Sequence, residues 1–316
     1  MLRATPVMDI AFVTDNNYAL PTRAAIRSVL ANAGRADAPP AVRVVCDDSV
    51  SVKNLARFAR LGGTVSVTRA ANRHRQLHNT AHYSHAMYLK YDLPEIFPTL
   101  DKVLFLDSDV IVSGSLRELW ATDLSDRWLA AVPENAPASA FAEYARARFN
   151  ASGAYFNSGV LLLNLRQLRA DGVPRQLAEF TAQRPWLSCP DQDAFNAVCG
   201  TRALPLPAQF NHMVMYRGAA DGEAARVIHY ASWHKPWRDL SVPLARNFTR
   251  HLRLTEKLAL LPRWLAALWF YAKLPAGDGG VRRVFKFFGL PLYTKEKSPR
   301  GVTVSVLGLT VNKKIY

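Results

Sequence analysis

Short apolar runs, bounded by polar turns and separated by segments of helical period, organise the chain up to about residue 240. Asp9–Thr14 (DIAFVT), Val42–Cys46 and Thr64–Thr68 predict buried strands. Leu20–Asn32 predicts a helix, with Pro21 in its first turn and Ala25, Val29 and Leu30 near one face, and Val52–Leu61 predicts another. Strands and helices alternating at this pace form an α/β sheet joined by crossovers. His82–Phe97 is mostly helical in pattern despite Pro94, Val103–Leu106 is a strand, and Leu116–Trp120 is a helical turn. Leu129–Val132 reads as a strand and Ala138–Phe149 as a helix. Tyr155–Leu165 opens with Asn157-Ser158-Gly159 and continues as a strongly apolar strand; Gln176–Gln183 and Gln192–Val198 are helical. Arg226–Tyr230 is a last strand, and it runs into His229. Charge and aromatic density rise near Pro243–Thr249, which divides the chain into residues 1–248 and an extension, 249–316.

The chain has 316 residues, 49% of them hydrophobic, enough for a sizeable core. The formal net charge is +15, and it is unevenly placed: residues 251–316 hold 12 Lys/Arg against 3 Asp/Glu. A basic tail of this kind can bind nucleic acid, an anionic membrane surface, or nothing in particular. Cys46, Cys189 and Cys199 show no paired metal or redox spacing, which fits a reducing compartment. Met1–Asp9 lacks the apolar core of a signal peptide. No segment reaches the roughly 20 apolar residues that span a bilayer; Leu258–Leu274 is interrupted by Pro262 and Arg263. These features predict a cytoplasmic protein, soluble or peripherally attached.

Candidate chemistry begins at Asp107 and Asp109, delivered by the apolar run Val103–Leu106 to a strand end. Two carboxylates one residue apart can share a hard divalent cation, and ligands of open α/β sheets bind beyond the carboxyl ends of strands. The same pair can also simply end a strand and cap the next turn. In HYASWHKPW (residues 229–237), His229 can complete a metal site and Lys235 can meet a phosphate oxygen, or both can be structural. Asp191 and Gln192 open a predicted helix, where capping by Asp191 is the default role and contact with sugar hydroxyls the functional one. Asn157 offers donor and acceptor to a sugar, and Gly159 permits close backbone approach.

FLDSDV, YFNSGVLLLNL, PDQDAFN and HYASWHKPW occur in this order, after the opening FVTDNNYALPTRAAIRSVLAN, and together they resemble glycosyltransferase family 8 over residues 9 to 240. The bacterial lipopolysaccharide and lipooligosaccharide α-galactosyl- and α-glucosyltransferases belong to that family. The resemblance implies a GT-A fold, a Rossmann-like mixed α/β sheet flanked by helices, here followed by a basic, aromatic extension. It implies a retaining hexosyltransferase that uses UDP-galactose or UDP-glucose and Mn2+, with Mg2+ as the alternative ion. Asp107, Asp109 and His229 match the family's metal ligands, Asp15 and Asn17 its uridine contacts, Ser108 a ribose contact and Lys235 the diphosphate lysine. Asn157, Asp191, Gln192 and Glu134 match positions around the donor sugar. Two positions depart from the pattern. Lys90 stands where the family commonly has Arg, keeping the charge without the bidentate fork. Ser232 replaces a glycine whose amide approaches phosphate.

A same-face attack by the acceptor hydroxyl is the favoured course, with Gln192 as stabiliser or, alternatively, as a transient covalent partner, because no carboxylate is assigned to the opposite face. The acceptor is expected to be a saccharide, lipid-linked in surface-glycan synthesis, with contacts from a variable loop such as Asn211–Arg217. Trp264, Trp269, Phe270, Tyr271, Phe285, Phe287, Phe288 and Tyr293 lie among the basic residues of the tail, a composition that suits an anionic membrane surface and a peripheral location on the inner membrane. The rival readings are a basic nucleic-acid binder, for which no recognised motif is present, and a non-catalytic sugar-nucleotide-binding protein.

Overall fold

A computed structural model describes residues 7–32, 39–80, 83–134, 144, 154–231, 233–275, 281–287, 290–298, 301–306 and 309–314. The chain divides into two compact units, one of residues 1–233 and 243–251, the other of residues 234–242 and 252–316.

In the first unit, β1 (Asp9–Thr14), β2 (Ala41–Cys46), β3 (Val65–Arg69), β4 (Lys102–Leu106), β6 (Leu129–Pro133), β7 (Phe156–Asn164) and β8 (Ala203–Pro205) form one mixed sheet in the order β3-β2-β1-β4-β7-β6-β8. The parallel strands β1, β2 and β4 take alternate residues to opposite faces. Ile10, Phe12, Val44, Leu104, Leu106, Val160 and Leu162 bury one face against Ile26 and Val29 of α1 (Ala19–Asn32) and Phe58 of α2 (Val52–Ala59). Ala11, Val13, Val45, Val103, Phe105, Leu161 and Leu163 bury the other against Tyr88, Leu89, Leu168, Leu177 and Phe195. Burial on both faces explains why these strands read as continuous apolar runs rather than alternating ones.

β2 lies on one side of β1 and β4 on the other, so the chain reverses its direction of growth between β1 and β4. Such a switch point opens a crevice beyond the strand ends, the usual ligand position in open α/β sheets. Asp15–Asn17 follow β1 there, and Asp107–Asp109 follow β4.

Local differences from the sequence reading have physical causes. The segment 82–97 is not one helix: His85–Lys90 is a 3-10 helix, and a separate α3 (Leu93–Ile96) begins with Pro94 in its first turn. Proline lacks the amide that a continuing helix needs, whereas a new first turn tolerates it. The expected helix 138–149 lies outside the described residues except for Tyr144. In the second unit, a helix Leu254–Leu268, which contains Pro262, precedes β11 (Trp269–Pro275), β12 (Val281–Phe287), β13 (Leu290–Ser298), β14 (Gly301–Val306) and β15 (Leu309–Lys314). These five strands form an antiparallel meander. Alternation such as Val302, Val304 and Val306 between Thr303 and Ser305 accounts for it. Within the same unit, Trp264 Nε1 donates to the carbonyl of Pro236 at 2.9 Å, tying this helix to the segment 234–242. Among the described residues, no helix is long and apolar enough to cross a membrane.

Leu104 is fully buried on β4, between β1 and β7. Leu104→Ala is expected to cost about 2–5 kcal/mol in urea denaturation, through lost burial and the cavity left behind.

Candidate active site

Strand register assembles the site from distant parts of the sequence. Leu106 pairs with Val160 in the antiparallel ladder of β4 and β7, so Asp107 leaves the strand opposite Gly159, and its N–H donates to the Gly159 carbonyl at 2.8 Å. A second, small sheet brings in the histidine. β5 (Val110–Val112) pairs antiparallel with β10 (Val227–His229), placing His229 opposite Val110, and Tyr230 N–H donates to the Asp109 carbonyl at 3.0 Å. The strand β9 (His212–Met213) runs parallel to β10 on its other side, which sets Asn211 next to His229.

The outcome is a cluster of Asp107, Asp109 and His229 whose ligand atoms lie within 4.8 Å of one another. His229 Nε2 stands 3.2 Å from Asp109 Oδ1 and 3.8 Å from Asp107 Oδ2. Two hard carboxylates and one imidazole nitrogen are a donor set suited to a divalent cation. Gly159 forms a wall of this cluster. A Cβ there would stand 2.3 Å from His229 Cε1 and 2.7 Å from Asp107 Oδ2, so any side chain would displace the ligand atoms.

The cluster is partly enclosed. Asp107 remains one-third open to solvent, while His229 is 2% exposed. Burial holds the Asp107 carboxyl above its ordinary range; the charge of Lys90 opposes this and that of Asp109 adds to it. Lys90 is itself buried, 2.5 Å from Asp191 Oδ2, 3.8 Å from Asp107 Oδ1 and over the ring of Phe105. Burial alone would lower the Lys90 pKa, but the carboxylates of Asp191 and Asp107 outweigh it and raise the value. Lys90 is therefore held as the charge partner of Asp191, a task its single ammonium performs without the fork of an arginine.

The helix Pro190–Cys199 supplies Asp191 and Gln192 in its first turn. Asn196 clamps this helix to β7, donating to the Phe156 carbonyl and accepting from the Phe156 N–H, both at 2.8 Å. Gln192 consequently lies beside Asn157 and Ser158, and its Nε2 donates to Glu134 Oε2 at 3.4 Å. Burial raises the Glu134 pKa against its hydrogen bond from Tyr216. The capping role that is the default for Asp191 is not seen: the N-cap is Cys189, Asp191 pairs with Lys90, and Asp193 Oδ2 accepts the Cys189 N–H at 3.2 Å. Burial pushes the Asp193 carboxyl up to about 6.

The remaining residues sort by environment. Asp15 is buried and accepts the Tyr18 N–H at 2.8 Å, whereas Asn17 is exposed. Ser108 Oγ donates to the Val13 carbonyl and accepts from Thr22, so its hydroxyl is engaged within the fold. Lys235 belongs to the second unit, where its ammonium lies 5.7 Å from the centre of the Trp237 ring. Ser232 lies outside the described residues. Sequence reasoning missed one member of the site. Asn211, expected in a variable acceptor-facing loop, is 1% exposed and bonded to His229 and Asn157. No local pattern marks it, because its role depends on the pairing of β9 with β10.

Residues 9–241 match the model of a family described as Glycosyl transferase family 8. Glycosyltransferase GlyE of Streptococcus pneumoniae serotype 4 is 30% identical over 198 residues, 58% of this chain and 45% of that protein. A lipopolysaccharide 1,2-glucosyltransferase of Escherichia coli is 29% identical over 169 residues, 48% of this chain and 49% of that one. The chain thus spans about half the length of these curated relatives, or less. Among solved structures, galactosyltransferase LgtC in complex with donor and acceptor sugar analogues aligns with a TM-score of 0.67 and 28% identity, covering 77% of this chain and 95% of that chain.

Gly159→Ala is expected to fold, since the residue lies in an extended strand, yet to lose at least about tenfold in divalent-cation affinity by calorimetry with Mn2+ as the probe. Undiminished affinity would show that the close approach of residue 159 is not needed.

Proposed function

The chain belongs to glycosyltransferase family 8, and we propose that it moves galactose or glucose from a UDP-sugar to a saccharide acceptor with retention of anomeric configuration. The observation that carries this reading is the convergence of Asp107, Asp109 and His229 against Gly159 at the switch point of the sheet. Those three side chains would hold Mn2+, or Mg2+ in its place. When bound, the ion supplies positive charge to neutralise what develops on the departing diphosphate.

The chain's own residues perform the other tasks. Asp15, Asn17 and Ser108 follow the ends of β1 and β4 and are assigned to the uridine and ribose. Lys235 is assigned to a diphosphate oxygen, where a fixed positive charge acts most strongly as the leaving group forms. Asn157, Asp191, Gln192 and Glu134 form the polar floor for the hexose, with Lys90 holding Asp191 in place. Gln192 Oε1 already accepts from Asn157 at 2.9 Å and Ser158 at 3.2 Å. Those bonds withdraw electron density from the oxygen and favour a stabilising role over nucleophilic attack. The acceptor hydroxyl then approaches on the face from which UDP leaves.

For the acceptor we favour a lipid-linked saccharide of lipopolysaccharide or related surface glycans, met at an anionic inner-membrane surface. The similarity to a lipopolysaccharide glucosyltransferase supports it. So does the helix Leu254–Leu268, where Leu254, Leu258, Leu261 and Leu265 are 71%, 57%, 43% and 51% exposed and recur at helical spacing. Arg253, Lys257 and Arg263 lie among them, the composition of an interfacial helix. A non-catalytic sugar-nucleotide binder is the second reading, and the complete set of ligand-bearing residues disfavours it.

A donor screen with water as default acceptor separates the two. Mn2+-dependent release of hexose from UDP-galactose or UDP-glucose is expected, with kcat lowered about 10²–10³-fold in Lys235→Ala. Nucleotide binding without release from any UDP-sugar would favour the binding protein.

A further inference from the structure

The amides around the candidate metal ligands can be oriented one by one, because two of them face backbone N–H groups, which donate only. Gly159 N–H donates to Asn157 Oδ1 at 3.0 Å, and Ser158 N–H donates to Gln192 Oε1 at 3.2 Å. Asn157 therefore turns its Nδ2 to Gln192 Oε1, at 2.9 Å. Asn211 meets the same Asn157 oxygen at 2.9 Å and must do so with its own Nδ2, since two carbonyl oxygens cannot bond to each other. Its Oδ1 then faces His229 Nδ1 at 2.9 Å. An oxygen acceptor at that place requires the proton on Nδ1. Nε2 is left with a lone pair directed at the carboxylates, 3.2 Å from Asp109 Oδ1. Both residues are buried, Asn211 at 1% and His229 at 2% exposure, so bulk water does not compete for the ring.

We propose that Asn211 is a positioning residue that locks His229 in its Nδ1–H tautomer, presenting Nε2 as a metal donor, and that the same row of amides couples this ligand to Gln192. The inference rests on the metal site of the proposed function. The opposite tautomer would put a proton between Nε2 and Asp109, closing the position a cation needs. Hydrogen bonding of the remote ring nitrogen is a general way to fix tautomer, orientation and basicity of a metal-bound histidine. Here the acceptor is a neutral amide, itself held by Asn157, whose orientation is set by the backbone of β7. The row continues through Gln192 to Glu134, linking His229 by hydrogen bonds to the floor assigned to the donor sugar.

The test uses the full chain with 15N-labelled histidine. In the metal-free wild type at mildly alkaline pH, two-bond 15N–1H correlation should show the His229 proton on Nδ1 alone. A neutral ring carrying its proton on Nε2 overturns the proposal, and this readout needs no variant to fold. Asn211→Leu should admit the Nε2–H tautomer and weaken Mn2+ binding about 10–100-fold, whereas Asn211→Asp, which keeps an oxygen acceptor toward Nδ1 while losing the bond to Asn157, should retain the Nδ1–H form. The same His229 tautomer in both variants would reduce Asn211 to packing. Wild-type protein that binds no Mn2+ would instead sink the proposed metal site, and the tautomer in wild type and Asn211→Leu would still decide whether Asn211 controls the ring.

Discussion

β7 passes so close to the end of β4 that residue 159 has no room for a side chain beside His229 and Asp107. That approach depends on the antiparallel register of β4 with β7, which is held by a core buried on both sheet faces. It also depends on β5 pairing with β10, because only that pairing carries His229 to the same point. Two neighbouring carboxylates and an imidazole more than a hundred residues away in sequence become one donor set through two short ladders. The apolar packing of the sheet and the chemistry at its end are therefore one problem: a slip of either ladder by one residue would turn its side chains to the wrong face.

Around the ligands, the fold keeps buried polar groups in fixed partnerships. Lys90 is matched to Asp191, Asn196 to the backbone of Phe156, Asp193 to the amide of Cys189 and the hydroxyl of Tyr155, and the amides of Asn157, Asn211 and Gln192 to one another. Leaving any of these groups unmatched away from water would cost more than the bond itself contributes. The arrangement is consequently rigid before a ligand arrives. Dipoles and charges already oriented toward a reacting group act without reorganising, which is the main source of electrostatic catalysis. The Gln192 oxygen, engaged twice, belongs to this fixed floor.

Much of this was legible in the chain. The continuous apolar runs gave the strands because both faces of the sheet are covered, and the carboxylates at the end of Val103–Leu106 marked the site because strand ends at a switch point face a crevice. What stayed hidden depends on pairing between distant segments. Asn211 looks like any loop asparagine until β9 lies beside β10. Asp191 and Asp193 look interchangeable at a helix start, and only Lys90, arriving from the 3-10 helix, tells them apart. Beyond residue 268, the basic and aromatic composition drew attention away from a period of two that folds as a five-stranded meander.

Pulsed electron paramagnetic resonance of Mn2+ bound to the full chain tests the central claim most directly. The account predicts coupling to one histidine nitrogen, abolished in His229→Ala, together with loss of the bound-ion signal when Asp107 and Asp109 are both replaced by Asn. A bound Mn2+ with no nitrogen coupling, or one indifferent to those replacements, would contradict it.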